Sequence, residues 1–206
     1  ESLAGFSAGT IEGTIRTLCK LCDYALANGY HHTSYANALP HVRRTNARRL
    51  PTVFTPDEVE RILSQVDRSN PLGKRNYAIL LLVAKTGLRI GDVRQLCFEN
   101  IDWKNKEISI LQGKTGVPLQ LPLLEDVGWA IIDYLQHGRP ETSSPHIFVR
   151  HLAPFEAFGG SMQKVVLKLV SKAGIHVPAD KPIGMHSFRH SIATSMLENG
   201  ADLIDI

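Results

Sequence analysis

Eight consecutive apolar residues, Tyr77 to Ala84, stop abruptly at Lys85-Thr86-Gly87. A segment with no polar face has to be covered on all sides, so the pattern from about Leu72 to Lys85 predicts a long buried helix. Glycine following a lysine in the last turn is a common helix stop. A second apolar pattern, Val93, Leu96 and Cys97, follows at once, with Asp92 opening another short helix. Arg89 is therefore expected in a tight turn between two helices, with its guanidinium free to point outward.

The segments before that helix read as an incomplete helical region and a connector. Thr10 to Asn28 is expected to be amphipathic, with Ile11, Ile15, Leu18, Cys22 and Leu26 on one face and Asn28-Gly29 ending it. Cys19 and Cys22 form a single C-x-x-C, but the helical spacing of Leu18, Leu21, Ala25 and Leu26 around them predicts small buried residues. A zinc site would need a second ligand pair, and Cys97 has none beside it. A short helical piece from Ser34 to Leu39 stops at Pro40. Arg43, Arg44, Arg48 and Arg49 then crowd the stretch from His41 to Leu50, which is nearly free of apolar residues. That stretch can be a solvated connector or a strap along phosphate oxygens, which arginine forks suit; the later motifs favour the strap.

After the linker, Thr55-Pro56-Asp57-Glu58 is a capping box with proline at the first helical position. The pattern then changes at Ile101 to Leu123. Glu107 to Gln112 and Val117 to Leu123 alternate as strands around a Gly113-Lys114-Thr115-Gly116 turn. Helices are expected again over Glu125 to His137, Ser161 to Ala173 and His186 to Asn199. Gly138 to Pro154, with three prolines, is expected to be a long loop. The fold class that follows is mainly α with a small antiparallel β-sheet (α+β).

Composition narrows the function classes without choosing among them. A hydrophobic content of 43% with 21% charged residues describes a globular protein, and no apolar run approaches the length of a bilayer span. The net charge of +3 permits nucleic-acid binding without requiring it. Three cysteines suit a reducing cytoplasm better than a disulfide framework. The chain opens at Glu1 and closes at Ile206 within a helix start, and is expected to be a fragment.

Four charged residues stand at element ends: Arg89, Lys114, and the pair His186 and Arg189 one helical turn apart. Two guanidiniums can stabilise the equatorial oxygens of a transferring phosphoryl group without a metal. A lysine at a hairpin tip can protonate a leaving oxygen, and a histidine can assist proton transfer near neutral pH. Each residue alone has a plainer reading. Lys114 could be a solubilising hairpin lysine, and His186 and Arg189 could be surface residues of a helix N-terminus. The lysine also echoes a phosphate-binding P-loop, but the glycine spacing of that loop is absent and a strand follows. His190 is expected to pack or to support its neighbours.

In combination, Thr86-Gly87-Leu88-Arg89-Ile90-Gly91-Asp92, the strand–Gly113-Lys114-Thr115-Gly116–strand unit and His186-Ser187-Phe188-Arg189-His190 resemble the tyrosine recombinase (phage integrase) family, from about Thr55 onward. The resemblance implies a helical core-binding domain ending at about residue 40, a basic linker over 41–52, and a catalytic domain over 53–206 that is incomplete at its C-terminus. It implies that Arg89 and Arg189 clamp the scissile phosphate, Lys114 is the general acid, His186 is the histidine of the H-x-x-R box, and Asp92 supports the first arginine, with His190 also outside the reacting set. Arg43, Arg44, Arg48, Arg49 and Thr115 would contact DNA. The implied partner is double-stranded DNA, bound by a tetramer on paired sites in the full-length protein, with no metal or other cofactor. The family's nucleophilic tyrosine and second histidine (or tryptophan) lie downstream of the stretch matching Gly200-Ala201-Asp202-Leu203. Tyr24, Tyr30, Tyr35, Tyr77 and Tyr134 all precede His186, so the fragment is expected to be inactive alone. A DNA-binding or regulatory protein of the same fold is the alternative, although a pure binder has no use for Lys114 as an acid.

Overall fold

A computed structural model of the chain describes residues 6, 8–33, 35–40, 51–178 and 181–202. Arg43, Arg44, Arg48 and Arg49 lie outside the described residues. The chain divides into two compact units, Glu1–Arg48 and Arg49–Ile206. In the first, α1 (Ala8–Ala27) is followed by one 3-10 turn, Ala36–Ala38. The half-buried stripe of α1 contains Ile11, Ile15, Cys19, Cys22 and Ala25. Leu18 and Leu26, expected on that face, are exposed instead. The two cysteines are half-buried rather than buried, because a single short turn covers little of a long helix; the Cys19 Sγ lies against the Ala36 carbonyl.

The second unit starts at a well-made helix end. Thr55 Oγ1 accepts from Glu58 N–H (3.2 Å) while Glu58 Oε2 accepts from Thr55 N–H (2.9 Å), so the expected capping box opens α2 (Pro56–Ser64). Thr52, the last residue of the expected linker, is buried here, and its hydroxyl donates to the Pro182 carbonyl.

The apolar run becomes α3 (Pro71–Thr86), capped by Asn70, whose side chain accepts from Gly73 N–H. Ala78 to Val83 are all buried, and α5 (Glu125–His137) and α7 (Met185–Glu198) pack on this helix. Gly87 takes the left-handed conformation (φ 67°) and returns its N–H to the Val83 carbonyl, ending α3. The next helix, α4 (Ile90–Gln95), starts earlier than expected: Arg89 is its N-cap and Asp92 lies in its first turn.

A three-stranded antiparallel sheet, β1 (Ile101–Asp102), β2 (Glu107–Leu111) and β3 (Pro118–Pro122), follows in sequential order. Ile108 pairs with Leu121 and Ile110 with Leu119, which places one apolar face on the core. The strands stop one residue short of the expected ends. The loop is therefore 112–117, closed by Gln112 N–H to the Val117 carbonyl and Gly116 N–H to the Gln112 carbonyl.

The stretch from Gly138 to Pro154 is a loop by backbone pattern but not by burial. Ile147, Phe148 and Val149 are completely buried. Isolated bridges to Cys97 and Ala157 pair part of its backbone, and arginine side chains complete the pairing: Arg139 donates to the carbonyls of Ser144, His146 and Ile147, and Arg75 to that of Val149. Buried carbonyls need partners, and these guanidiniums supply them. Arg75 also lies 4.4 Å from the Phe158 ring centroid. After α6 (Gln163–Lys172), which packs on α2, the chain reaches α7. Among the described residues no helix is long and apolar enough to cross a membrane.

Candidate functional site

Arg89 is set by two helix ends. Gly87 terminates α3, and two residues later Arg89 adopts the extended conformation of an N-cap (φ −69°, ψ 139°). Its side chain is half-buried and is not free as expected: Nη1 donates to Gln112 Oε1 at 2.8 Å. The same oxygen accepts the Thr115 hydroxyl at 2.9 Å. Arg189 approaches from α7, and its Nη1 donates to the Gly87 carbonyl. The turn bearing Arg89 thus also receives the second arginine.

Burial lowers the Arg189 pKa from its ordinary value. The positive charge of Arg89 lowers it further, while Asp92 pulls the other way. Arginine remains charged under these conditions. Two guanidiniums with one neighbouring carboxylate leave an excess of positive charge at a partly desolvated place, which favours an anion. Asp92 is itself buried, with Oδ1 accepting from Gly113 N–H at 3.0 Å. Its other oxygen, Oδ2, has no hydrogen-bond partner among the described residues.

Lys114 follows Gly113 on the loop between β2 and β3 and is exposed. The sequence-predicted residues Arg89, Asp92, Thr115 and Arg189 are therefore connected by contacts or charge, and Lys114 is carried next to them. His186, in the first turn of α7, is exposed and lies one turn before Arg189. His190 is exposed, and its side chain makes no hydrogen bond among the described residues. No group of three or more His, Cys, Asp or Glu side chains able to hold a metal occurs among the described residues.

Gln112 was not singled out as a functional residue from the sequence, where it reads as the last residue of a strand. Its only sequence signal is a side-chain acceptor immediately before a glycine turn.

The family profile described as "Phage integrase family" matches residues 52–206. The chain belongs to the phage integrase family. Among relatives of this integrase-family chain, the Sinorhizobium fredii protein y4rA, which carries the name integrase/recombinase, is 38% identical over 186 residues, covering 89% of this chain and 44% of y4rA. Tyrosine recombinase XerD of Listeria monocytogenes is 30% identical over 204 residues, covering 97% of this chain and 66% of XerD. The chain spans less than half the length of the first Sinorhizobium relatives it matches.

Among solved structures, XerH recombinase bound to its difH substrate superposes with a TM-score of 0.71 at 21% identity, over 97% of this chain and 58% of XerH. A λ integrase tetramer bound to a Holliday junction gives 0.66 at 18% identity, over 96% of this chain and 56% of that one. These likenesses establish the integrase fold for a mainly helical chain with a small antiparallel sheet.

Proposed function

We propose that this integrase-family chain is part of a site-specific DNA recombinase that cleaves and rejoins strands through a 3′-phosphotyrosine intermediate. The observation that carries the reading is the convergence of Arg89 and Arg189 on one turn, beside the hairpin that bears Lys114. In the reaction, a tyrosine oxygen forms a bond to phosphorus while the bond from phosphorus to the 5′ oxygen breaks. Arg89 and Arg189 neutralise the non-bridging oxygens, and each such donor is worth roughly 3–4 kcal/mol in comparable sites. Lys114 gives a proton to the departing 5′ oxygen, and His186 takes up the proton that the tyrosine loses. Asp92 acts through others: it holds the Gly113 amide and balances Arg189.

All five tyrosines of the chain precede His186, so this reading takes the nucleophile from beyond residue 206 of the full-length protein. The 206-residue polypeptide then binds DNA but forms no adduct by itself. Domain limits at about residues 40 and 52, phosphate contacts from Arg43, Arg44, Arg48, Arg49 and Thr115, and a tetramer on paired sites are part of the same proposal. The XerH structure bound to its difH substrate and the λ integrase structure bound to a Holliday junction support duplex DNA as the partner.

The test is adduct formation by the full-length protein on nicked duplex DNA carrying its site, read on a denaturing gel. Adduct is expected from the wild type, and Arg89→Ala or Arg189→Ala should reduce its rate on the order of 100-fold or more. Salt-sensitive DNA binding with no adduct would instead identify a DNA-binding regulator of the same fold.

A further inference from the structure

The loop that carries Lys114, residues 112–117, is exposed along most of its length and has two cross-loop backbone hydrogen bonds of its own. A general acid works only within hydrogen-bond reach of the oxygen it protonates. The lysine tip therefore needs an external reference, and two contacts provide one. Gly113, just before Lys114, is held through its N–H by Asp92 Oδ1. Thr115, just after Lys114, is held through its hydroxyl by Gln112 Oε1, which also accepts from Arg89 Nη1. A carboxamide oxygen has two lone pairs, and both are occupied here.

We propose that Gln112 is a positioning residue that sets Lys114 against the phosphate held by Arg89. One oxygen serves as common acceptor for the phosphate-binding guanidinium and for the loop bearing the acid, so the two are aligned before DNA arrives. Arg89 keeps its other guanidinium N–H groups for the phosphate, which lets the contact persist in the complex. Gln112 touches no reacting atom in this scheme. The inference rests on the phosphoryl-transfer reading of the site.

The experiment uses full-length protein and two DNA substrates, one ordinary and one with sulfur replacing the bridging 5′ oxygen at the cleavage point. A thiolate leaves without being protonated, so only a defect in proton delivery is relieved by the sulfur. Gln112→Met keeps the side chain's length and removes its acceptor oxygen. It should slow adduct formation on ordinary DNA by about 10- to 100-fold, at or below the range of a general acid itself. On the sulfur substrate it should recover nearly to the wild-type rate, as Lys114→Ala should, and Gln112→Met itself should leave DNA affinity unchanged. Thr115→Val should show the same rescue, and combining it with Gln112→Met should add little, because both act through one oxygen.

Gln112→Met that is slow on both substrates, as a loosened fold or a displaced Arg89 would make it, overturns the proposal. Gln112→Met that is normal on both overturns it equally. If the wild type forms no adduct, or if sulfur does not rescue Lys114→Ala, the reading of the site fails first and the proposal falls with it.

Discussion

Gly87 serves the site entirely through its backbone. Its left-handed φ of 67° stops α3, and its carbonyl receives Arg189. A Cβ there would lie 3.0 Å from Ile192 Cγ2 on α7, the helix that carries Arg189. Gly87→Ala should therefore destabilise the chain by about 1–2 kcal/mol, from the cost of that conformation for an L side chain, measured as a shift in the urea midpoint. A variant as stable as the wild type would mean the turn relaxes without cost. At this scale the sequence was informative wherever a residue's neighbours in the chain define it. The glycine stop and the placing of Arg89 between two helices follow from spacing. The partner of Arg89 does not: Gln112 is 23 residues away, and nothing in the pattern of either segment marks their contact. That is why a free guanidinium was expected and a half-buried, hydrogen-bonded one is found.

Among the elements, α3 and α5 are joined by a charged cluster as well as by the core. Lys74 Nζ donates to both oxygens of Asp133 at 2.8 Å, with His137 Nδ1 at 3.1 Å and Arg68 at 4.0 Å. The hydrogen bond from Lys74 is the main cause holding the Asp133 carboxyl below its ordinary value of 3.8, with His137 and Arg68 assisting and burial opposing. A lowered folded-state pKa means that the unfolded chain binds more protons, so this contribution is complete above about 3.8 and fades as pH falls through the lower folded value. Asp133→Asn should cost about 1 kcal/mol at neutral pH, and its gap to the wild type should close as the pH falls below that range. A gap that stays constant from pH 7 to pH 3 would assign the loss to packing rather than charge. The end-points of α5 and the capping box of α2 were legible because periodicity and caps are local. The buried course of Ile147 to Val149 was not, because its backbone groups are satisfied by partners that no local pattern marks: Leu96, Phe158 and the Arg75 and Arg139 side chains.

For the whole molecule, the proposed hold on DNA turns on where charge sits. A net charge of +3 spread over 206 residues is too small for general attraction to dominate, so affinity has to come from local clusters placed on phosphates. The densest is Arg43, Arg44, Arg48 and Arg49, whose one-signed composition allows either a solvated connector or a phosphate strap. Counterion release separates the two, since each phosphate neutralised on duplex DNA contributes about −0.9 to the slope of log K against log salt. If all four arginines contact phosphates, the chain should show a slope of at least about −3.6, and replacing all four with glutamine should flatten it by about that amount. Lys114→Ala, one charge at an exposed tip, should flatten it by about 0.9 at most. A fourfold variant with an unchanged slope would make the segment a connector and move the electrostatic hold onto the second unit, where Arg89 and Arg189 meet at one turn.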